Sequence, residues 1–163
     1  MFFALSKDAV NSLVMAHDRA FGFLEQFIEA SSDNSWNTLI GGDPAWQHVL
    51  HALATCEFFL APKEGKPELT PSFPQEVVMF GNRPAAPAKE LVKAVAKEAR
   101  AYDEKFLNGL NDEDLGKIHE GFSARMGMPV TNAALIANFI GHLYYHFGQC
   151  DAVLRNNGEP GLF

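Results

Sequence analysis

The segment ANFIGHLYYHFGQC, residues 137–150, places two histidines four positions apart within an almost wholly apolar run. In an α-helix each residue advances by about 100°, so His142 and His146 lie about 40° apart on one face, one turn from each other. Leu135 and Val153 fall on the same stripe, which indicates that this face points into the protein. Imidazole is costly to bury without a partner, so the fold must supply one.

Four segments have apolar residues at spacings of three and four, which is typical of amphipathic helices. They run over residues 7–30, 44–60, 87 to about 106, and 132–156. Asp43 and Thr131 are the predicted N-caps of the second and fourth helices, and Pro44 and Pro87 suit first helical positions. SSDNSW is predicted as a turn after the first helix, and NDEDLGKIHEGF as a short helical turn. The fourth helix is apolar on nearly all sides and is therefore predicted to be the most buried.

The absence of strand patterns, one long connection and the chain length together define the predicted fold class. No segment alternates between apolar and polar residues as a strand does. The proline-rich connection over roughly residues 61–86 is longer than an ordinary loop, so we expect it to cross the bundle or to cover a site. The chain length of 163 residues suits one domain over residues 1–163. We predict an all-α protein, a four-helix bundle with one long crossover connection.

Composition and charge exclude several classes of partner. The net charge of -7 comes without any cluster of Lys and Arg, which argues against nucleic acid and against an anionic membrane surface. The longest apolar stretch contains Asn138 and two histidines, so it does not suit a membrane span, and MFFALSKDAV lacks the features of a secretory signal. Cys56 and Cys150 are too few for a disulfide scaffold. We expect a cytoplasmic protein that binds neither nucleic acid nor a membrane.

A histidine pair at positions i and i+4 of a helix can hold one metal ion through two imidazoles. A third ligand must then come from another helix, and WQHVLHALATCEFF offers His48 and His51, three positions apart. Either residue could complete a three-histidine site. The alternative interpretation is that His142 and His146 are hydrogen-bonded core residues. Because two histidines share one apolar helix face, we favour the metal.

Other residues could approach such a site, and most have a simpler interpretation. Cys150, one turn beyond the second histidine, is expected to be a core residue rather than a ligand. His17 is expected to be a hydrogen-bonded core histidine, although it could act as an acid or base. Gln149 could orient an imidazole. His119 is expected to be solvated, and Glu57 lies about 120° around its helix from the candidate ligand six positions earlier, which disfavours a ligand role.

Two motifs resemble a known superfamily. HLYYHFGQCDAVLR, residues 142–155, resembles the HxxxHxxQ last-helix signature of the DinB/YfiT-like superfamily of metalloenzymes. HVLHALATCEFFL, residues 48–60, resembles its second-helix segment, including that of the DinB-like domain of iron-dependent sulfoxide synthases of ergothioneine biosynthesis. There the ligand is the second histidine of HxxH, followed six residues later by Glu. The resemblance follows the helix order of the whole chain. It implies a DinB/YfiT-like bundle, a homodimer by analogy, and a divalent ion (zinc, nickel or iron) held by His51, His142 and His146.

Three neutral imidazoles would leave a divalent ion its full charge and at least one open coordination position. Such an ion lowers the pKa of bound water to about 7 and favours a thiolate over a thiol. Members of the superfamily include thiol-dependent S-transferases and isomerases. The resemblance thus implies a metal-dependent enzyme for a small molecule, either a transferase using a low-molecular-weight thiol or a hydrolase. The alternative is a non-catalytic metal-binding or stress-response bundle with a structural ion or a small-molecule pocket, which a fourth ligand such as Cys150 or His48 would favour.

Overall fold

The computed structural model describes residues 6–60, 79–81 and 85–162. Within these ranges the protein is built from α-helices and one two-stranded ladder. The four long helices are α1 (Asp8–Ala30), α3 (Ala45–Leu60), α4 (Lys89–Asn108) and α6 (Asn132–Asn156). The two short helices are α2 (Asp33–Asn37) and α5 (Glu120–Met126), and the ladder pairs β1 (Leu39–Ile40) with β2 (Asp43–Pro44).

The four long helices form the predicted four-helix bundle. Helix α6 packs against both α1 and α3, and α4 packs against the same two helices from the other side. Large apolar side chains from three of the helices fill the interior, among them Phe21, Phe27, Trp46, Leu53 and Phe139. Most of the 61–86 connection lies outside the described residues, so its predicted path across the bundle stays a prediction. The described helices include none with the length and apolar character of a membrane span.

The start of α3 differs from the prediction. Asp43 does not cap the helix, because Asp43 and Pro44 pair with Leu39 and Ile40 in an antiparallel hairpin. The intervening Gly41 and Gly42 have φ values of 62° and 109°, a conformation that suits a tight hairpin turn and favours glycine. The hairpin brings β1 back alongside the first turn of α3, where it becomes part of the histidine cluster described below.

Helix α6 begins as predicted but is less buried than predicted. The Thr131 hydroxyl accepts a hydrogen bond from the backbone N–H of Ala134 at 3.2 Å, which confirms the N-cap. One side of the helix is exposed along its length, at positions occupied by Ala137, Gly141 and Gly148. Apart from the exposed Tyr145, the apolar composition of this side reflects small side chains, whose exposure to water costs little. A larger fraction of the residues is buried in the shorter helix α3 than in α6.

The segment SSDNSW has more regular structure than predicted, and the helical turn predicted in NDEDLGKIHEGF is confirmed. The SSDNSW segment contains α2, and the Ser32 hydroxyl caps it by accepting from the backbone N–H of Ser35 at 3.2 Å. NDEDLGKIHEGF forms a 3-10 turn over Asp112–Gly116 and then begins α5. The prediction that His119 is solvated is wrong. Its Nδ1 accepts from the backbone N–H of Phe122 at 3.0 Å, so the half-buried ring is the N-cap of α5.

Candidate metal centre

Histidines from α3 and α6 meet inside the bundle. His51, His142 and His146 each offer one ring nitrogen, and these nitrogens lie within 4.8 Å of one another. The two Nε2 atoms of α6 are 3.2 Å apart. Nitrogens bound tetrahedrally to one zinc ion at about 2.0–2.1 Å are themselves about 3.3 Å apart. The pair on α6 therefore already has the separation of metal ligands, and a ring nitrogen of His51 lies within 4.8 Å of a nitrogen of each of them.

The convergence follows from local geometry and from helix packing. The i, i+4 spacing stacks His142 and His146 on one face of α6, with ring centroids 4.6 Å apart. The packing of α3 on α6 then brings His51 to within 5.3 Å and 5.2 Å of those two rings, measured between centroids. Sequence reasoning left the third ligand open between His48 and His51. The geometry groups His51, and not His48, with the pair on α6.

The environment holds the two histidines of α6 in the neutral form. Burial lowers the pKa of His146 to about 3, and the neighbouring imidazoles of His142, His51 and His48 lower it further in the same direction. Burial, followed by the nearby His51, lowers the pKa of His142 to about 4. Both rings are therefore uncharged at neutral pH, and a neutral imidazole has the free lone pair that a metal ion requires.

Two further polar side chains contact the Nδ1 atoms of the pair on α6, away from the two Nε2 atoms that face each other. The Nδ1 atom of His48 lies 3.2 Å from Nδ1 of His146, and its Nε2 lies 3.0 Å from the backbone oxygen of Ile40 in β1. The hydroxyl oxygen of Thr55 lies 3.0 Å from Nδ1 of His142. Thr55 comes four residues after His51 on α3, a spacing that a search for partners on the same helix face would have found.

The other residues singled out from the sequence have structural roles. Cys150 is fully buried within the apolar core, and burial raises the pKa of its thiol, so the core interpretation is confirmed. His17 is also fully buried, and its Nε2 lies 3.0 Å from a carboxylate oxygen of the equally buried Asp103 on α4. The predicted hydrogen-bonded core histidine is thus confirmed. Glu57 is buried on α3 and is not a member of the three-histidine group.

Phe80 is a neighbour of the histidines that sequence reasoning missed. Its ring centroid lies 4.7 Å from that of His48 and 4.6 Å from that of His51, while 40% of the residue is exposed. Gln47 donates a hydrogen bond from Nε2 to the backbone oxygen of Met79 at 2.7 Å, and Asp43 accepts one from the backbone N–H of Gly81 at 2.9 Å. These bonds hold an aromatic ring between the histidine cluster and solvent.

Comparisons with known proteins agree with the fold. The structure superposes on a DinB-like protein from Bacillus cereus with a TM-score of 0.66 and 20% identity, covering 94% of this chain and 97% of that one. It superposes on YfiT from Bacillus subtilis with a TM-score of 0.65 and 15% identity, covering 98% and 94% of the two chains. YfiT is described as a probable metal-dependent hydrolase with an unusual four-helix bundle topology. No family model matches the sequence, and no curated protein matches it.

These likenesses define the class of fold. The DinB/YfiT-like four-helix bundle that the two motifs implied is confirmed. Within the described residues, the bundle also contains a three-histidine group whose donors suit a divalent metal ion. A set of three imidazole nitrogens is a common donor set for zinc and is compatible with nickel and iron.

Proposed function

We propose that this protein is a metal-dependent enzyme whose divalent ion is held by His51, His142 and His146. The observation that carries the proposal is that these three histidines, from α3 and α6, each place a ring nitrogen within 4.8 Å of the other two. The two rings of α6 are kept neutral by burial, so they are ready to bind a cation at neutral pH. Zinc, nickel and iron are the candidate ions, because imidazole suits all three.

The reaction we propose is the attack of a metal-activated water or thiol on a small molecule. When bound, the ion would lower the pKa of a water or thiol in its open position and so supply a nucleophile near neutral pH. The three neutral histidines hold the ion without reducing its charge. Phe80 forms an apolar wall beside them, which excludes water from that side and offers a surface to an apolar part of the substrate. The candidates are thus a hydrolase and a transferase that uses a low-molecular-weight thiol.

A non-catalytic bundle with a structural ion or a small-molecule pocket is the second candidate. Structural sites are closed by a fourth protein ligand, whereas catalytic sites keep a position open. Cys150 is packed in the core, and Nδ1 of His48 is occupied with His146. Both observations favour an open site and therefore the enzyme. We further infer a single domain over residues 1–163, a cytoplasmic location, a homodimer, and no partnership with nucleic acid or membranes.

The proposal is tested by metal content followed by activity. Protein purified without an affinity tag is stripped of metal, loaded in turn with zinc, nickel or iron, and measured for metal per chain. It is then assayed against a panel of electrophiles with and without small thiols, and against hydrolysable esters and amides. We expect one ion per chain and a turnover that depends on it. Turnover that requires the thiol identifies a transferase, and turnover without it identifies a hydrolase.

Variants separate the site from the fold. His146→Ala is expected to abolish stoichiometric metal uptake and turnover while the helical content stays unchanged. His119→Asn is the matched control, because it removes an imidazole outside the group and retains an N-cap side chain for α5. Equal metal content in His146→Ala and the parent would refute the proposed ligands. Stoichiometric metal without turnover for any ion or substrate class would favour the structural ion instead.

A further inference from the structure

We propose that His48 and Thr55 are positioning residues that fix the tautomers of His146 and His142. Each would keep the ring hydrogen of its partner on Nδ1, so that both Nε2 atoms present lone pairs to the same point. This inference rests on the metal site proposed above, but it concerns the protein before any ion binds.

The first chain of contacts begins at the backbone of β1. The carbonyl oxygen of Ile40 can only accept a hydrogen bond, so Nε2 of His48 carries a hydrogen and donates it across 3.0 Å. A neutral imidazole has one N–H, which leaves Nδ1 of His48 as an acceptor. The atom facing it at 3.2 Å is Nδ1 of His146, and this atom must therefore be the donor. With its only hydrogen on Nδ1, His146 is left with a free lone pair on Nε2.

The second chain begins at the backbone of α3. The hydroxyl of Thr55 donates its single hydrogen to the carbonyl oxygen of Ala52 at 2.8 Å. The same hydroxyl oxygen then accepts from Nδ1 of His142, which lies 3.0 Å away. This assignment places the ring hydrogen of His142 on Nδ1 and frees its Nε2 as well.

The two chains act together because both end on backbone carbonyls, which have no hydrogen to give. The Ile40 carbonyl fixes the direction of the first series of contacts, and the bond from the Thr55 hydroxyl to the Ala52 carbonyl sets that of the second, so each tautomer is set by the backbone through one side chain. The outcome is two bare Nε2 atoms 3.2 Å apart. Two acceptor atoms in contact repel each other unless a cation lies beside both. The arrangement thus holds a pair of metal ligands in readiness, and partners of this kind affect metal affinity by about 10–100-fold.

Matched variants distinguish hydrogen bonding from packing. His48→Leu removes both polar contacts of the ring at similar volume, whereas in His48→Gln the amide can donate to Ile40 and accept from His146. Thr55→Val is nearly isosteric but lacks the hydroxyl, and Thr55→Ser retains it. We expect His48→Leu and Thr55→Val to weaken zinc affinity by about 10–100-fold in chelator competition. The Gln and Ser variants should keep most of that affinity.

The decisive measurement is long-range 1H–15N NMR of the imidazole rings in metal-free protein, which reports the tautomer of each histidine. The expected result is a hydrogen on Nδ1 of both His142 and His146 in the parent. His48→Leu should shift the tautomer of His146 alone, and Thr55→Val that of His142 alone. A role in packing only would alter thermal unfolding without this selective change.

The parent protein alone can overturn the proposal, so it stays testable if a variant fails to fold. A hydrogen on Nε2 of either ring in metal-free parent protein would refute it. Unchanged tautomers and zinc affinity in folded His48→Leu and Thr55→Val would refute it too. The spectra need neither metal nor substrate, so a protein without turnover still tests this inference. If turnover depends on the metal but His142 and His146 each populate both tautomers, the inference is refuted and the proposed function still stands.

Discussion

Acid should release the metal from this protein at a lower pH than from a site of ordinary histidines. An imidazole must be neutral to bind, so protons compete with the ion. Lowering the pH from about 7.5 to about 5.5 costs about tenfold in affinity for each ligand with a pKa of about 6.5, or about a thousandfold for three. The sequence alone supports that larger figure and a fall that begins below about pH 6.5.

The structure predicts a smaller loss of metal affinity over this pH interval. With the pKa of His146 lowered to about 3 and that of His142 to about 4, both rings stay almost fully neutral at pH 5.5. Their contribution to proton competition is then negligible. The loss should therefore be far smaller than a thousandfold, because the two rings of α6 contribute almost nothing to it. Protonation of His142 should begin to lower the zinc affinity only as the pH approaches about 4.

The assay is the apparent dissociation constant for zinc, measured by chelator competition at half-unit pH steps and corrected for protonation of the chelator. A thousandfold loss between pH 7.5 and 5.5 would refute the reasoning, because it would mean that burial does not keep the rings neutral. The metal-free protein gives an independent check on the sign. Since the unfolded chain takes up protons at a higher pH than the folded rings, stability should fall as the pH drops below about 6.5 toward 4.

Three other perturbations follow from contacts in the bundle. Asp103→Ala leaves Nε2 of the fully buried His17 without its partner, and urea unfolding should show a loss of about 1–3 kcal/mol; an unchanged midpoint would contradict the pairing. Phe80→Ala removes the ring between the histidines and solvent, so chelator should extract zinc faster in stopped-flow measurements, and an unchanged rate would argue against the wall. Thr131→Ala should cost about 1 kcal/mol on unfolding, whereas Thr131→Ser should not, and equal losses would exclude the N-cap.

The long helices and the histidine pair of α6 were predictable because their signals are local. Apolar spacing of three and four identifies α1, α3, α4 and α6, and the i, i+4 rule places His142 and His146 on one helix face. The Thr131 cap was predictable for the same reason, since an N-cap acts within one turn of its helix.

The features that sequence reasoning missed depend on contacts between distant parts of the chain. Asp43 has the residue type of an N-cap, but its carboxylate accepts a hydrogen bond from the backbone N–H of Gly81, 38 residues later in the sequence. Phe80 lies beside the histidines because Gln47 donates a hydrogen bond to the backbone of the preceding residue, Met79, which comes 32 residues after Gln47 in the sequence. No local propensity encodes either contact.

The division of roles between His48 and His51 was also beyond the sequence. Two histidines three positions apart on α3 both face α6, and spacing alone cannot say which ring reaches the Nε2 side of the pair. The packing of α3 against α6 decides it, together with the Ile40 carbonyl that holds His48 on the Nδ1 side. The superfamily resemblance had implied the ligand that the geometry now groups with the pair on α6.

Anomalous diffraction from crystals of zinc-loaded protein is the most direct test of the whole interpretation. One peak per chain should appear about 2.0–2.2 Å from a ring nitrogen of each of three side chains, His51, His142 and His146, with Nε2 as the ligand atom on α6. A peak bound through the Cys150 thiol or through His48, or zinc bound only elsewhere while these three rings stay free, would contradict it.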